Sequence, residues 1–194
     1  MIIIGVIVAN RCDSMIACIK KVFGDVSRCY FISDAAKHES VTEHIFAIKN
    51  SGKEICFICA SNDDIVSELF SGVFFDVVIY DNMAGEDLQV KNIAKSIHPK
   101  TIVISNGDDK IIPEFMHGMK LCAVTYGLGQ KCSITPSCID TSDGMHFNCC
   151  IQRNIPSLNG GDIEIGENTI YIDGASINIY DALAAASVHA VTKA

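Results

Sequence analysis

The stretch Ile4-Gly5-Val6-Ile7-Val8-Ala9-Asn10-Arg11-Cys12-Asp13-Ser14 leads an apolar run of strand length into a polar turn and then into a helix start. Met1 to Val8 is hydrophobic at successive positions, as a strand buried on both faces of a parallel sheet is. Asp13 and Ser14 are ordinary helix-capping residues, and Met15, Ile16, Ile19, Val22 and Phe23 follow at helical spacing. In open α/β sheets, ligands bind where the carboxyl end of a strand feeds a helix. The turn from Ala9 to Asp13 is therefore the first place to look for chemistry.

The pattern repeats downstream. Arg28 to Ile32, Ile55 to Ala60, Phe75 to Tyr80, Thr101 to Ser105 and Leu121 to Thr125 are short β-rich runs. Ser40 to Asn50, Asp63 to Phe70 and Leu88 to Ile97 have helical spacing between them. Such alternation predicts right-handed crossovers and a mostly parallel sheet with helices on both faces. After Tyr126 the texture changes. Cys132 to Asp140 and Met145 to Ile151 flank the hairpin punctuation Ser142-Asp143-Gly144. Asn168 to Ile172 is a further strand, and Ile179 to Thr192 an alanine-rich helix. The reading is one α/β domain over 1–194. Its parallel core spans 1–126, a small antiparallel edge sheet with loops spans 127–175, and a closing helix spans 176–194.

Composition narrows the function classes. The 194 residues are 49% hydrophobic, enough for a sizeable core, and carry a net charge of −8. That charge argues against nucleic acid as a partner, because binding phosphates requires a basic face. The apolar run at the start, Met1 to Ala9, is far short of the roughly 20 residues of a spanning helix. No basic segment precedes it as in a signal peptide. The expectation is a cytoplasmic protein with no membrane partner. The ten cysteines lie within apolar runs and read as small buried hydrophobes. Cys56 and Cys59 are three apart on a strand and face opposite ways, as do the neighbours Cys149 and Cys150, so neither pair chelates one metal. A zinc site assembled from distant cysteines with His146 is the remaining alternative.

A family resemblance enters through an ordered series of motifs. The opening turn resembles the phosphate loop G-T-N-G-K-[ST]-[ST] of a Mur ligase central domain. In register, Val8 stands for the first glycine, Asn10 for the asparagine, Arg11 for the second glycine and Cys12 for the lysine. Ile58-Cys59-Ala60-Ser61 resembles the E-[VA]-S-S ending of tripeptide-synthetase-type members, with Ile58 in place of the magnesium-binding glutamate. Phe75 to Met83 resembles F-D-x-A-V-F-T-N-[LI]. Glu86-Asp87-Leu88-Gln89 stands for D-H-L-D without its histidine. Asn106-Gly107-Asp108-Asp109 is similar to N-x-D-D, Thr125-Tyr126-Gly127 to [TF]-[YF]-G, and Asn178 to Ala185 to N-x-x-N-A-L-A-A with Asp181 at the second asparagine.

The resemblance implies a P-loop-NTPase-like fold and descent from enzymes that make amide bonds at the expense of ATP. The replaced residues imply a scaffold without the chemistry. A phosphate loop needs glycines so that backbone N–H groups approach the phosphates, and a lysine as point charge; Val8 and Cys12 remove both. The family's N-terminal substrate domain and C-terminal ATP-closing domain have no counterpart, so self-association over the surfaces they would cover is expected. The reading that follows is a catalytically inactive Mur-ligase-like protein, a scaffold, regulatory or oligomeric partner linked to cell-wall precursor metabolism. The alternatives are a module that binds a nucleotide or a cell-wall precursor without turnover, and an ATP-dependent ligase acting with a partner chain. Partners are a second copy of the chain or a cell-wall enzyme.

No catalytic residue is assigned. Asn10, Arg11, Ser14, Asn178 and Asp181 are the candidate nucleotide-binding residues. No cofactor is expected, ATP and magnesium only if residual family binding persists, and no metal site is assigned. Glu86, Asp87, Asp108 and Asp109 are the weak metal candidates, with solvated turn carboxylates as the favoured reading. Arg11 pairing with one of these carboxylates is a further expectation.

Overall fold

The computed structural model describes residues 1–8, 12–33, 41–60, 70, 72–81, 95–109, 121–174 and 177–193. The elements in chain order are β1 (Ile2–Val8), α1 (Cys12–Phe23), β2 (Cys29–Ile32), α2 (Val41–Asn50), β3 (Ile55–Ala60), β4 (Phe75–Asp81), β5 (Ile97–Asn106), β6 (Cys122–Tyr126), β7 (Ile134–Asp140), β8 (Met145–Ile151), β9 (Ile155–Pro156), β10 (Asp162–Ile163), β11 (Gly166–Ile172) and α3 (Ile179–Lys193). The main sheet has nine strands in the order β11-β8-β7-β6-β5-β4-β1-β3-β2, and β9 and β10 form a separate two-stranded antiparallel sheet. The class is the expected mostly parallel α/β sheet with antiparallel strands in the C-terminal third. Two compact units make up the chain. One comprises Met1–Cys12, Asp25–Val103 and Ile111–Cys122, the other Asp13–Gly24, Ile104–Lys110 and Ala123–Ala194.

In the first unit β1 lies between β3 and β4, with β2 outside β3, all parallel. Gly5 pairs with Ile58 and Val78, and Val6 with Cys59 and Ile79. β1 and β3 are buried over most of their length, which explains their apolar runs. Gly5 sits in a tight place: a Cβ there would come within 3.1 Å of the Phe75 ring, which would have to give by a few tenths of an ångström. Ile7, Ile32, Val41, Ile48, Ile58, Val78 and Val103 belong to one buried cluster in this unit.

One sequence expectation is corrected here. The helix read over Leu88 to Ile97 cannot include its last residue, because Ile97 opens β5. Thr101 holds that extended start. Its hydroxyl accepts the His98 N–H at 2.9 Å and donates to the Phe75 carbonyl at 2.6 Å. Residues 88–94, and all of the helix read at Asp63 to Phe70 except Phe70, lie outside the described residues.

In the second unit β6 and β7 are parallel, and β7, β8 and β11 are antiparallel. The hairpin turns at Gly144, whose φ of 85° suits glycine. Burial alternates strictly along β8, so Cys149 is buried and Cys150 is not. α3 is buried on all sides from Asp181 to Val188, which accounts for its run of alanines: small side chains let neighbouring backbone approach closely.

Candidate functional site

In the first unit, the carboxyl ends of β1, β3 and β4 fall together, with Ile7 opposite Ala60 and Val8 opposite Asp81. Ile58 sits here with no solvent exposure, paired across from Gly5. Its side chain belongs to the apolar cluster and has no atom that can ligate a cation. Cys12, the residue that opens α1, forms a disulfide with Cys59 on β3, their Cα atoms 6.2 Å apart and 47 residues apart in sequence. This corrects the reading of all ten cysteines as inert buried hydrophobes: eight are free and two are bonded. Asn10 and Arg11, and with them the expected pairing of Arg11, lie outside the described residues.

In the second unit the first turn of α3 gathers most of the other candidates. Asn178 is the N-cap of this helix. Its side-chain oxygen accepts the Tyr180 N–H at 2.9 Å, and its carbonyl accepts the Ala182 N–H at 3.0 Å. Asp181 is fully buried and accepts a 2.5 Å hydrogen bond from the Ser14 hydroxyl. Ser14 is therefore not a helix cap as its sequence position suggested. It lies in the first turn of α1 and holds Asp181.

Tyr180 reaches Asp108, its hydroxyl 3.3 Å from Oδ2. The same carboxylate accepts the backbone N–H of Leu128 at 2.5 Å and of Gly129 at 2.9 Å, and the Cys132 thiol lies 3.8 Å away. Two glycines make room for it. A Cβ on Gly127 or on Gly129 would come within 2.6 Å of an Asp108 oxygen. The loop after β6 is thus a small nest of backbone donors filled by a carboxylate of the chain itself. The Tyr180 phenol is pushed up, first by desolvation and then by the Asp108 charge; the Cys132 thiol is pushed up for the same two reasons in the same order.

Asp108, read from sequence as a solvated turn residue with metal ligation as the weak alternative, is an exposed turn residue that also anchors the Leu128 and Gly129 backbone. Among the described residues no group of three or more His, Cys, Asp or Glu stands close enough to hold a metal ion. Glu86 and Asp87 lie outside the described residues. His146 packs against Tyr171, ring centroids 4.2 Å apart. As placed in the first unit, Ile58 has no ligand atom and the Cys12 sulfur is bonded, so these two do not fit a magnesium nucleotide.

No family model matches the sequence, and no curated protein matches it. Solved structures do match. A UDP-N-acetylmuramoyl-L-alanyl-D-glutamate–2,6-diaminopimelate ligase superposes with a TM-score of 0.69 at 14% identity, over 98% of this chain and 43% of its own. The MurF ligase of Thermotoga maritima in complex with ADP gives 0.63 at 11% identity, over 97% and 45%. A bifunctional folylpolyglutamate synthase/dihydrofolate synthase with Mn, AMPPNP and L-glutamate bound gives 0.61 at 10%, over 100% and 54%. The fold is that of the Mur ligases.

The chain spans about half the length, or less, of these Mur-ligase-fold structures. At this identity they speak to the fold alone. Among the described residues no helix is long and apolar enough to cross a membrane.

Sequence reading missed the partnership of Cys12 with Cys59, the anchoring role of Asp108 and the part played by Tyr180. The first had a usable signal. The motif register places Cys12 just past β1 and Cys59 near the end of β3, and strands adjacent in a parallel sheet bring such positions together. The second had a weaker one in the two glycines of Gly127-Leu128-Gly129, a spacing that admits close approach of another group.

Proposed function

We propose that this chain is a catalytically inactive Mur-ligase-like protein, acting as a scaffold or regulatory subunit. The observation that carries the reading is the covalent engagement of Cys12. In the motif register it stands where a phosphate-binding lysine would be, and its sulfur is bonded to Cys59. Ile58 beside it puts a buried hydrocarbon where a magnesium-binding glutamate would be. Phosphoryl transfer draws nearly all its rate from positioning and charge stabilisation, so replacing both groups removes the terms that matter. A link to cell-wall precursor metabolism rests on the names of two of the matching ligases. Self-association, or docking on a cell-wall enzyme, is the working mode proposed; the exposed side chains of Ile165 and Tyr171 in the second unit are apolar surface available for it.

Calorimetry and phosphate release with ATP and with ADP, each with and without magnesium, test the reading together. No heat and no turnover at millimolar nucleotide is the expected result. Heat without turnover would replace this proposal by a nucleotide-binding module, and turnover would overturn it.

A further inference from the structure

Three of the free cysteines are set apart from the bonded pair by deep burial. Burial pushes Cys56 and Cys149 up to about 12 and Cys18 up to about 11, which keeps those thiols protonated and slow to react. The bonded pair is different. Cys59 is 4% exposed, whereas Cys12 is half-buried. Cys12 is the more accessible residue of the two, which assigns attack by a thiolate from solvent to its sulfur, with Cys59 as the leaving group. Cys12 also opens a helix of 12 residues, whose amino end favours a thiolate; the exposed carboxylate of Asp13 next to it opposes part of that effect. The Cα separation of 6.2 Å lies within the range disulfides occupy, so the bond closes between the start of α1 and β3, the latter held in register on β1 with Val6 opposite Cys59.

We propose that Cys12 and Cys59 form a reversible thiol–disulfide site that exchanges with small thiols and disulfides of the glutathione class, Cys12 being the exchanging residue and Cys59 the resolving one. On oxidation the Cys12 thiolate attacks a sulfur of the small disulfide, and one small thiolate leaves. The Cys59 thiol, on losing its proton, then attacks the Cys12 sulfur and the second small thiolate leaves. Two protein thiols and one small disulfide become one protein disulfide and two small thiols, and the two protons end on the departing thiolates. Reduction runs the same steps backwards. The site does not depend on whether the chain turns over nucleotide.

The test uses the full chain equilibrated in glutathione buffers of graded oxidised-to-reduced ratio, quenched in acid, unfolded, and labelled with a maleimide. The expected count by mass spectrometry is eight labels at the oxidising end and ten at the reducing end, with a linked Cys12–Cys59 peptide in the former. Cys59→Ser should trap a glutathione adduct on Cys12, and Cys12→Ser should leave Cys59 unmodified in the folded protein. Ten labels in every buffer would overturn the bond. Eight in every buffer would make it a fixed staple and overturn the exchange. An adduct on Cys59 with none on Cys12 would overturn the assigned roles. The wild-type titration decides the first two points even if a variant fails to fold.

Discussion

The Ser14 hydroxyl donates to Asp181 across 2.5 Å, joining the first turn of α1 to the first turn of α3 from 167 residues away in sequence. Asp181 has no solvent exposure, so its oxygens depend on donors within the protein. Ser14→Ala takes one donor from that carboxyl and should cost about 1–3 kcal/mol, seen as a lower urea midpoint. If Ser14 served a nucleotide instead, the same variant would leave the midpoint unchanged and alter only ligand heat. An unchanged midpoint would therefore remove the structural role given to this pair.

The nest around Asp108 makes a prediction in the opposite sense, by addition of atoms. A methyl group on Gly129 would meet Asp108 Oδ1 at 2.6 Å, closer than Cβ atoms come to their neighbours, so the carboxylate must shift at the expense of its bonds to the Leu128 and Gly129 N–H groups. Gly129→Ala should lower stability by about 1–3 kcal/mol. Asp108→Ala loses the same bonds by another route. The double variant should therefore cost clearly less than the sum of the two, as a double-mutant cycle would measure. Additive losses would mean that the glycine is needed for something other than this carboxylate.

The sequence announced the strands far better than the site. β3 and β8 fall on the residues read for them, because buried strands leave runs of β-branched and aromatic residues that nothing else explains. The end of the Leu88 helix was misjudged because Ile97 continues an apolar spacing that its extended backbone does not share; what settles it is the Thr101 hydroxyl, a tertiary contact with no period. The site is harder still. Ser14, Asn178, Asp181 and Asp108 were all legible as polar residues at the right turns, yet which of them face a ligand and which bind one another depends on distances across the fold. Charge and position read from sequence cannot distinguish a carboxylate that waits for a metal from one that fills a nest of backbone N–H groups.

The disulfide should be worth more to stability than any single hydrogen bond described above. Closing a loop between residues 47 apart removes enough unfolded-state entropy to contribute about 4 kcal/mol on the chain-entropy estimate. For a chain of this size that corresponds to a melting temperature lower by about 10 °C when the bond is reduced. Cys12→Ser/Cys59→Ser should melt near the reduced wild type and show no response to reductant. A wild type that melts alike with and without reductant would show that the bond does not bear on stability.

His189 sets the response to mild acid. Its ring lies edge-on to Phe23 with centroids 5.1 Å apart, and its Nε2 is buried with no hydrogen-bond partner among the described residues. Burial holds the imidazole below its ordinary value, and the Lys193 charge on the same helix adds to the effect. The unfolded chain therefore takes up this proton at a higher pH than the folded one. Stability from this group is fully present above the unfolded value of about 6.5 and is lost as pH falls below it, because protonation then favours the unfolded state. The exposed carboxylates Asp25 and Asp140 are held below the usual value of 3.8 by hydrogen bonds from Ser27 and Ser142. Their contribution persists until pH falls to that range, so the window just below 6.5 is not theirs. The urea midpoint of the wild type should drop between about pH 7.5 and about pH 5.5, and His189→Leu, which keeps an apolar group against Phe23, should flatten that slope. A variant whose midpoint falls as steeply as the wild type over the same interval would remove His189 as the source of the acid sensitivity.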